Sequence, residues 1–540
     1  MQGLMMDFPL TLQHAFNRAT SFFGRKEIVT RTESGMERYT YAEWGKRTMQ
    51  LAHALQKAGV QSGDRVATFG WNTARHLELY FAIPCMGAVL HTLNIRLFAE
   101  QLTFIINDAE DKIIFIDGDL VPILEPLVEQ IPTVKLFVIM GNAPNSTGKL
   151  QPSVDYETFI ADSPTAFDWP RLDENAAAAM CYTSGTTGNP KGVVYSHRSI
   201  LLHSFGVGMA GGIGMNEQDT VMPIVPMFHA NAWGLAHAGI FLGAKMVMPG
   251  RFIDPVSIGQ MLEEERVTVT GGVPTIWIGL LSVLEREHFD LSSVRALLCG
   301  GSAVPQALIE ALQRKNLRII HAWGMTETSP LASLSALRSY QLDLPEAEKF
   351  RLRARQGTMV PGVEFRVVNV ETGQEVPRDD ATYGELQVRG PWVARAYYHD
   401  EQTNEKFADG WLRTGDVAVV DEDGIIQLVD RTKDLVKSGG EWISSVELEG
   451  LIMGYPKVLE ACVVGIPHPR WSERPLACVV ARPEFEGQIS RDEIIEYLTP
   501  RIAKWWLPDD VVFIDAIPKT SVGKFDKKVL RSRYAAYNPA

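Results

Sequence analysis

The chain has 540 residues, more than one hydrophobic core usually supports, so two or more domains are expected. Hydrophobic residues at 46% and charged residues at 22% exclude a largely disordered chain. With 52 Lys+Arg against 65 Asp+Glu, the net charge of −13 lacks the basic field that a whole-molecule nucleic-acid binder needs.

In chain order, the start MQGLMMDFPL has no basic segment leading into an apolar one, so no signal peptide is expected. Arg65–Gly70 reads as a strand followed by an apolar helix. The run from Leu79 to Leu90 contains Pro84 and is too short to span a bilayer, so no integral membrane association is expected. Lys112–Asp117 reads as a second strand with a helix around 121–130, and Lys135–Met140 as a third. This alternation predicts an α/β class, with layered sheets in a large N-terminal domain. Short strands at Val363–Val368, Gly384–Arg389 and Val417–Val420 add a small antiparallel, β-barrel-like portion. From Arg431 onward there are 16 Lys+Arg against 15 Asp+Glu, net +1, leaving −14 for what precedes. That shift places a boundary at the segment 424–443, which reads as a strand, a charged hinge and a glycine loop. The expected domains are 1–430 and 431–540, with a hinge at about 430–435, the second a mobile α+β lid containing a strand at Ala461–Ile466. The cysteines, Cys85, Cys181, Cys299, Cys462 and Cys478, form no CxxC pair, so neither a disulfide framework nor a zinc site is expected. A reduced, cytoplasmic protein fits.

The densest chemical signal is Tyr182-TSGTTGNPK-Gly192, entered from the apolar stretch Ala176–Cys181. Its glycines let backbone N–H groups turn inward, its hydroxyls donate hydrogen bonds and Lys191 adds charge, the composition of a phosphate cradle rather than of a plain polar loop. It is not the G-x-x-x-x-G-K-[ST] loop. Two weaker patterns carry nothing. Ser521 and Lys524 form an SxxK pair without SDN or KTG partners, and Gly206–Gly211 forms a GxGxxG that follows a helix-like SILLHSF.

Tyr182–Gly192 is similar to the signature of the adenylate-forming enzymes: acyl-CoA synthetases, peptide-synthetase adenylation domains and firefly-type luciferases. Trp323–Glu327 resembles that family's second nucleotide motif, Tyr383–Gly390 its structural strand and Trp411–Asp416 its ribose-binding motif. Asp430–Asp434 resembles its hinge motif and Pro518–Lys524 its C-terminal lysine motif, in order, over nearly the whole chain.

The resemblance implies that a carboxylate attacks the α-phosphate of ATP, giving an acyl-adenylate and pyrophosphate, and that coenzyme A then takes the acyl group. An anion there meets a polyanion, so cations and backbone donors must neutralise charge. The implied nucleotide contacts are Thr183, Ser184, Gly185, Thr186, Thr187 and Lys191 of the loop, and Gly301 and Ser302 alongside the adenine. Ala322, Trp323 and Gly324 join them, with the indole as a stacking face, and so do Thr326 at the α-phosphate, Asp416 on the ribose hydroxyls, and Arg431 and Lys433 at the hinge. Glu327, with Thr183, is implied to hold Mg²⁺, a hard cation that takes carboxylate oxygens. Lys524 is implied to bridge the substrate carboxylate and the α-phosphate, and His229 and Lys437 complete the catalytic set. Lys433 matches the pivot. After rotation, Lys437, Ser438, Gly439, Gly440 and Trp442 would face the site and admit the pantetheine arm of CoA.

Pro226-MFHANAW-Gly234 resembles the segment that lines the acyl site, with His229 and Ala230 beside the acyl-adenylate and Trp233 as an aromatic gate to an apolar tunnel. His229–Ile240 contains no acid, which disfavours an amino-acid substrate, and Gly272–Leu281 is uncharged wall. An aliphatic acid is expected. The closest resemblance, to bacterial medium- and long-chain fatty-acyl-CoA synthetases and methylthiopropionate-CoA ligases, implies a medium- or long-chain fatty acid and a homodimer. A short-chain or 3-methylthiopropionate-type ligase is the alternative. A luciferase-like enzyme and a catalytically inactive ATP-binding protein are weaker readings, the latter because it would be expected to lack Glu327 or Lys524.

Overall fold

Ile113–Asp117, IIFID, is buried at every position, as a central parallel strand covered on both faces must be. The computed structural model describes residues 1, 3–141, 148–183, 189–400, 403–439, 441–519 and 525–537. Among these residues the strands form four sheets. The seven-stranded sheet runs Ser153–Asp155, Leu136–Met140, Ile113–Asp117, Arg65–Phe69, Val89–Thr92, Ala177–Tyr182, Gly192–Ser196, with only the last pair antiparallel. The nine-stranded sheet is built on the parallel run Ile319–Gly324, Ala296–Cys299, Val269–Gly272, Thr220–Pro223, Lys245–Met248, Glu27–Thr32, with antiparallel strands at both edges.

Helices lie between these sheets and share one apolar core with them. Tyr41–Lys57 starts at Thr40, whose hydroxyl accepts from Glu43 N–H while Glu43 accepts from Thr40 N–H. Its Trp44 is fully buried, with ring centroids 5.5 Å from Phe16 and 5.3 Å from Phe81. Burying one such side chain contributes about 1.5–3 kcal/mol. The expected helix over 121–130 divides into Val121–Leu124 and a tighter 3₁₀ stretch, Glu125–Gln130. Pro126 supplies no N–H for an α-helical bond at that junction.

The expected strand Val417–Val420 is the end of a longer one, Leu412–Val420, in a four-stranded antiparallel sheet with Glu364–Val368, Gly384–Arg389 and Ile426–Arg431. A turn at 432–434 leads into the last sheet, which contains Val436–Ser438, Glu441–Ile443, Val458–His468, Ser472–Ala481 and Asp510–Phe513. This α+β portion has apolar clusters of its own, around Leu448 and Val463 on one face and Val464 and Leu530 on the other. No helix among the described residues is long and apolar enough to cross a membrane.

Candidate active site

Parallel strands end together, so the loops that follow them converge at one edge. At the C-terminal ends of the nine-stranded sheet lie Gly300–Ser302 after Ala296–Cys299, and Ala322–Glu327 at the end of Ile319–Gly324. Close packing explains the glycines. A Cβ on Gly300 would lie 2.5 Å from the Ala322 carbonyl oxygen, and one on Gly324 would lie 1.7 Å from that of Pro330. Gly301 has φ +82°, a left-handed conformation that glycine adopts without strain.

Trp323 is buried, and its Nε1–H donates to Asp416 Oδ2 at 3.0 Å. Asp416 Oδ1 pairs with Arg431 Nε at 3.1 Å. Three residues assigned to the adenosine from three separate motifs therefore touch. Glu327 is buried in the turn Thr326–Thr328, and its Oε1 accepts the Tyr397 hydroxyl at 2.5 Å. Among the described residues Oε2 takes no hydrogen bond. The Thr326 carbonyl accepts the Tyr195 hydroxyl at 2.8 Å.

Ser184, Gly185, Thr186 and Thr187 lie outside the described residues, as do Gly440 and Lys524. Thr183 and Lys191, on either side of loop residues 184–187, are hydrogen-bonded to each other. Thr183 N–H donates to the Lys191 carbonyl at 2.9 Å, and Lys191 N–H donates to Thr183 Oγ1 at 3.1 Å. The Lys191 ammonium pairs with Asp400 at 2.7 Å.

His229, Trp233, Ile224, Val273 and Ile276 line a cavity, with Arg96 as the charged group on its wall. Burial pushes the Arg96 guanidinium down from its ordinary range. The cavity volume is about 60 Å³. Trp233 lines it and also packs beside Gly271 and Gly300: a Cβ on Gly271 would lie 3.5 Å from its ring and one on Gly300 3.6 Å. The backbone here is unusual. Ala230, Asn231, Ala232 and Trp233 have φ of 41°, 53°, 54° and 56°, and Gly234 follows at 75°. Asn231 and Ala232, with ψ of 46° and 39°, are left-handed helical in both angles, a conformation that costs an L-residue about 1–2 kcal/mol.

Lys433 lies in the turn beyond Arg431, where burial pushes its ammonium down. Lys437, Gly439 and Trp442 are exposed, and the Lys437 ammonium stands 5.0 Å from a ring centroid of Trp442. Ser438 is buried and accepts from Arg474 at 3.0 Å. Lys437 N–H donates to Glu473 and Gly439 N–H to the Trp471 carbonyl, so Lys437, Ser438, Gly439 and Trp442 are engaged within the C-terminal portion and not gathered around Trp323, Glu327 and Asp416 in this arrangement. The segment around the turn at 432–434 is bridged instead by Asp430, a buried carboxylate that accepts from Ser445 N–H at 2.7 Å and that burial pushes up.

Sequence reasoning missed Tyr397, Asp400, Tyr195 and Lys406. Lys406 packs against Gly415, and the carboxylates of Glu327 and Asp416 draw its ammonium up while burial pushes it down more strongly. None of the four lies in a motif with recognisable spacing; each is found only once the strands bring it in.

Comparison with known proteins identifies the family and the fold. Residues 16–398 match the family of AMP-binding enzymes, and residues 447–524 match the AMP-binding enzyme C-terminal domain. The chain is 46% identical to a long-chain-fatty-acid–CoA ligase of Thermus thermophilus, over 99% of this chain and 97% of that one. It is 42% identical to a 3-methylmercaptopropionyl-CoA ligase of Ruegeria lacuscaerulensis, over 99% of both. Among solved structures, ATP-bound MatB from Rhodopseudomonas palustris superposes with a TM-score of 0.84 at 28% identity, covering 98% of this chain and all of that one.

Proposed function

The chain belongs to the AMP-binding enzymes, the adenylate-forming family whose similar members are acid–thiol ligases, and from that premise we propose that it converts an aliphatic carboxylic acid, ATP and CoA into acyl-CoA, AMP and pyrophosphate. The carboxylate oxygen attacks the α-phosphorus and pyrophosphate leaves. The CoA sulfur then attacks the acyl carbon and AMP leaves. The observation that carries the reading is the seat of Trp233, one indole that lines an apolar cavity and packs beside Gly271 and Gly300.

Trp323, Asp416 and Arg431 would hold the adenosine, Thr326 the α-phosphate, and Lys191 the outgoing phosphates. Glu327 and Thr183 offer hard oxygen donors, which suit Mg²⁺. Among the described residues no three His, Cys, Asp or Glu side chains converge as a metal cage, so such a cation would take most of its ligands from phosphate and water, the mode Mg²⁺ favours. Bound there, it would neutralise phosphate charge. Lys524 would neutralise the charge that develops between the two reactants. The lid, residues 431–540, would then turn about Lys433 to bring Lys437 and the Ser438–Trp442 loop to the site.

The substrate proposed is a medium- or long-chain fatty acid, with Trp233 swinging aside to open the tunnel. A cavity of about 60 Å³ as it stands supports a second reading, a short or methylthio acid with Trp233 as the pocket floor. A series of acids assayed for pyrophosphate release with ATP, Mg²⁺ and CoA decides. Under the first reading kcat/KM climbs about fourfold per methylene, following roughly 0.8 kcal/mol each, and breaks where the tunnel ends. A maximum at three to five carbons establishes the second, and no release with any acid defeats both.

A homodimer in the cytoplasm completes the proposal. Leu4, Met5, Met6 and Phe8 are exposed at the N-terminus and could reach a second copy. Light scattering at micromolar concentration should give about twice the chain mass; one chain mass rules the dimer out.

A further inference from the structure

Glu327 and Lys191 come from different sheets, and one short segment joins them. Ala394 N–H donates to the Glu327 carbonyl at 2.7 Å, and Tyr398 N–H donates to the Gly192 carbonyl at 2.9 Å. Between these anchors, the Tyr397 hydroxyl donates to Glu327 Oε1 while the Lys191 ammonium stands 4.9 Å from the centroid of the same ring. Tyr397 is 9% exposed, and its ring meets Phe407 edge-on at 5.1 Å. One buried side chain thus touches the acidic end of the phosphate site with its hydroxyl and the cationic end with its π face.

We infer that Tyr397 is a positioning residue for the metal-bearing phosphates, one that fixes the Glu327 carboxylate so that Oε2 is presented to the cation. The inference deepens the ligase reading and rests on it. Its physical basis is the choice of donor. A lysine or arginine on Oε1 would orient the carboxylate but cancel its charge and compete with the metal. A phenol orients the group without adding a positive charge of its own to those of Lys406 and Arg431, which already lie within electrostatic reach of Glu327. A carboxylate already held in one rotamer also loses less conformational freedom when the cation arrives.

The test uses Mn²⁺ as the probe, titrated by electron paramagnetic resonance into the full chain with ATP and no acid present. Tyr397→Phe keeps the ring and removes the hydroxyl. The Mn²⁺ dissociation constant should rise roughly three- to tenfold, while ATP binding without metal stays within about twofold. The Mg²⁺ needed for half-maximal pyrophosphate release should rise in parallel. In a Glu327→Gln background the same change should add nothing, because the carboxylate it acts through is gone. Unchanged Mn²⁺ affinity in Tyr397→Phe overturns the inference. Any further loss of Mn²⁺ in that double variant relative to Glu327→Gln alone also overturns it. Should Tyr397→Phe fail to fold, 3-fluorotyrosine at 397, which keeps the ring and the hydroxyl but changes the strength of the donor, replaces it, and an unchanged Mn²⁺ dissociation constant then overturns the inference. Wild-type protein that releases no pyrophosphate with any acid would sink the ligase reading instead, and the Mn²⁺ titration would remain readable.

Discussion

Asp416 engages two neighbours at once, Trp323 through Oδ2 and Arg431 through Oδ1. A carboxylate has about four acceptor positions, so two ribose hydroxyls can be added without displacing either neighbour. The protein partners orient the carboxylate, and the nucleotide takes what is left. Asp416→Ala removes the acceptor and leaves the Trp323 N–H and the Arg431 guanidinium unpaired. Hydrogen bonds to charged groups contribute about 1.5–3 kcal/mol each, so losing both ribose hydroxyl contacts should lower ATP affinity roughly a hundredfold or more. Isothermal titration with ATP in the absence of acid measures this directly, and a loss smaller than about threefold would contradict the ribose role.

Among the elements, the turn Ala230–Trp233 sets the limit of what the sequence discloses. The α/β layers were legible because a buried parallel strand reads as an unbroken apolar run, as in IIFID. The candidate nucleotide residues, such as Thr183, Glu327 and Asp416, were named through motifs that resemble the family's, and the structure brings Trp323, Asp416 and Arg431 into contact. Nothing marks Tyr397, whose role depends on a strap crossing between two sheets. Nothing marks the hand of Ala-Asn-Ala-Trp either, since such a string suits a right-handed helix and only Gly234 hints otherwise. The hand can be measured. Ala232 is fully buried with φ +54°. A β-branched side chain there meets both backbone strain and a full core, so Ala232→Val should cost about 2 kcal/mol or more in urea unfolding. Ala232→Gly trades relief of about 1–2 kcal/mol of left-handed strain against a lost methyl and should stay within about 1 kcal/mol of wild type. A glycine variant as unstable as the valine variant would contradict the left-handed turn.

For the whole molecule, the most consequential charges are those that are suppressed. Burial pushes His76, His197, His203 and His321 down to about 4 and His237 to about 3. These side chains tie distant segments: His197 accepts from Leu12 N–H, and His203 accepts from Leu331 N–H. A depressed folded value means that unfolding takes up a proton. The stability these histidines contribute is complete above their ordinary value near 6.5 and disappears as pH falls towards 4, at about 1.4 kcal/mol per pH unit for each. Asp117 acts the other way. Burial raises it to about 7, so the stability it contributes belongs to low pH and is lost between its ordinary value and 7. Glu78, Asp111, Asp430, Glu447 and Glu449, which burial also pushes up, act in the same direction as Asp117, so the histidine contribution is read from substitution rather than from the bare profile. Between pH 6.5 and pH 5, His237→Phe should lose less stability than wild type by one histidine's share in urea unfolding, and an unchanged slope would contradict a buried, neutral His237.

Asn231 and Ala232, at φ, ψ of 53°, 46° and 54°, 39°, have the dihedrals of an ordinary α-helix with both signs reversed. Handedness is set by the configuration at Cα, so this stretch is shaped for amino acids of the opposite configuration. Semisynthesis with D-alanine at 230 and 232 would move each methyl to where the α-hydrogen now sits and remove the clash between Cβ and the following carbonyl. In most helices such an inversion breaks the structure. Here it should ease it, because beside the acyl cavity the chain adopts a fragment of its own enantiomer.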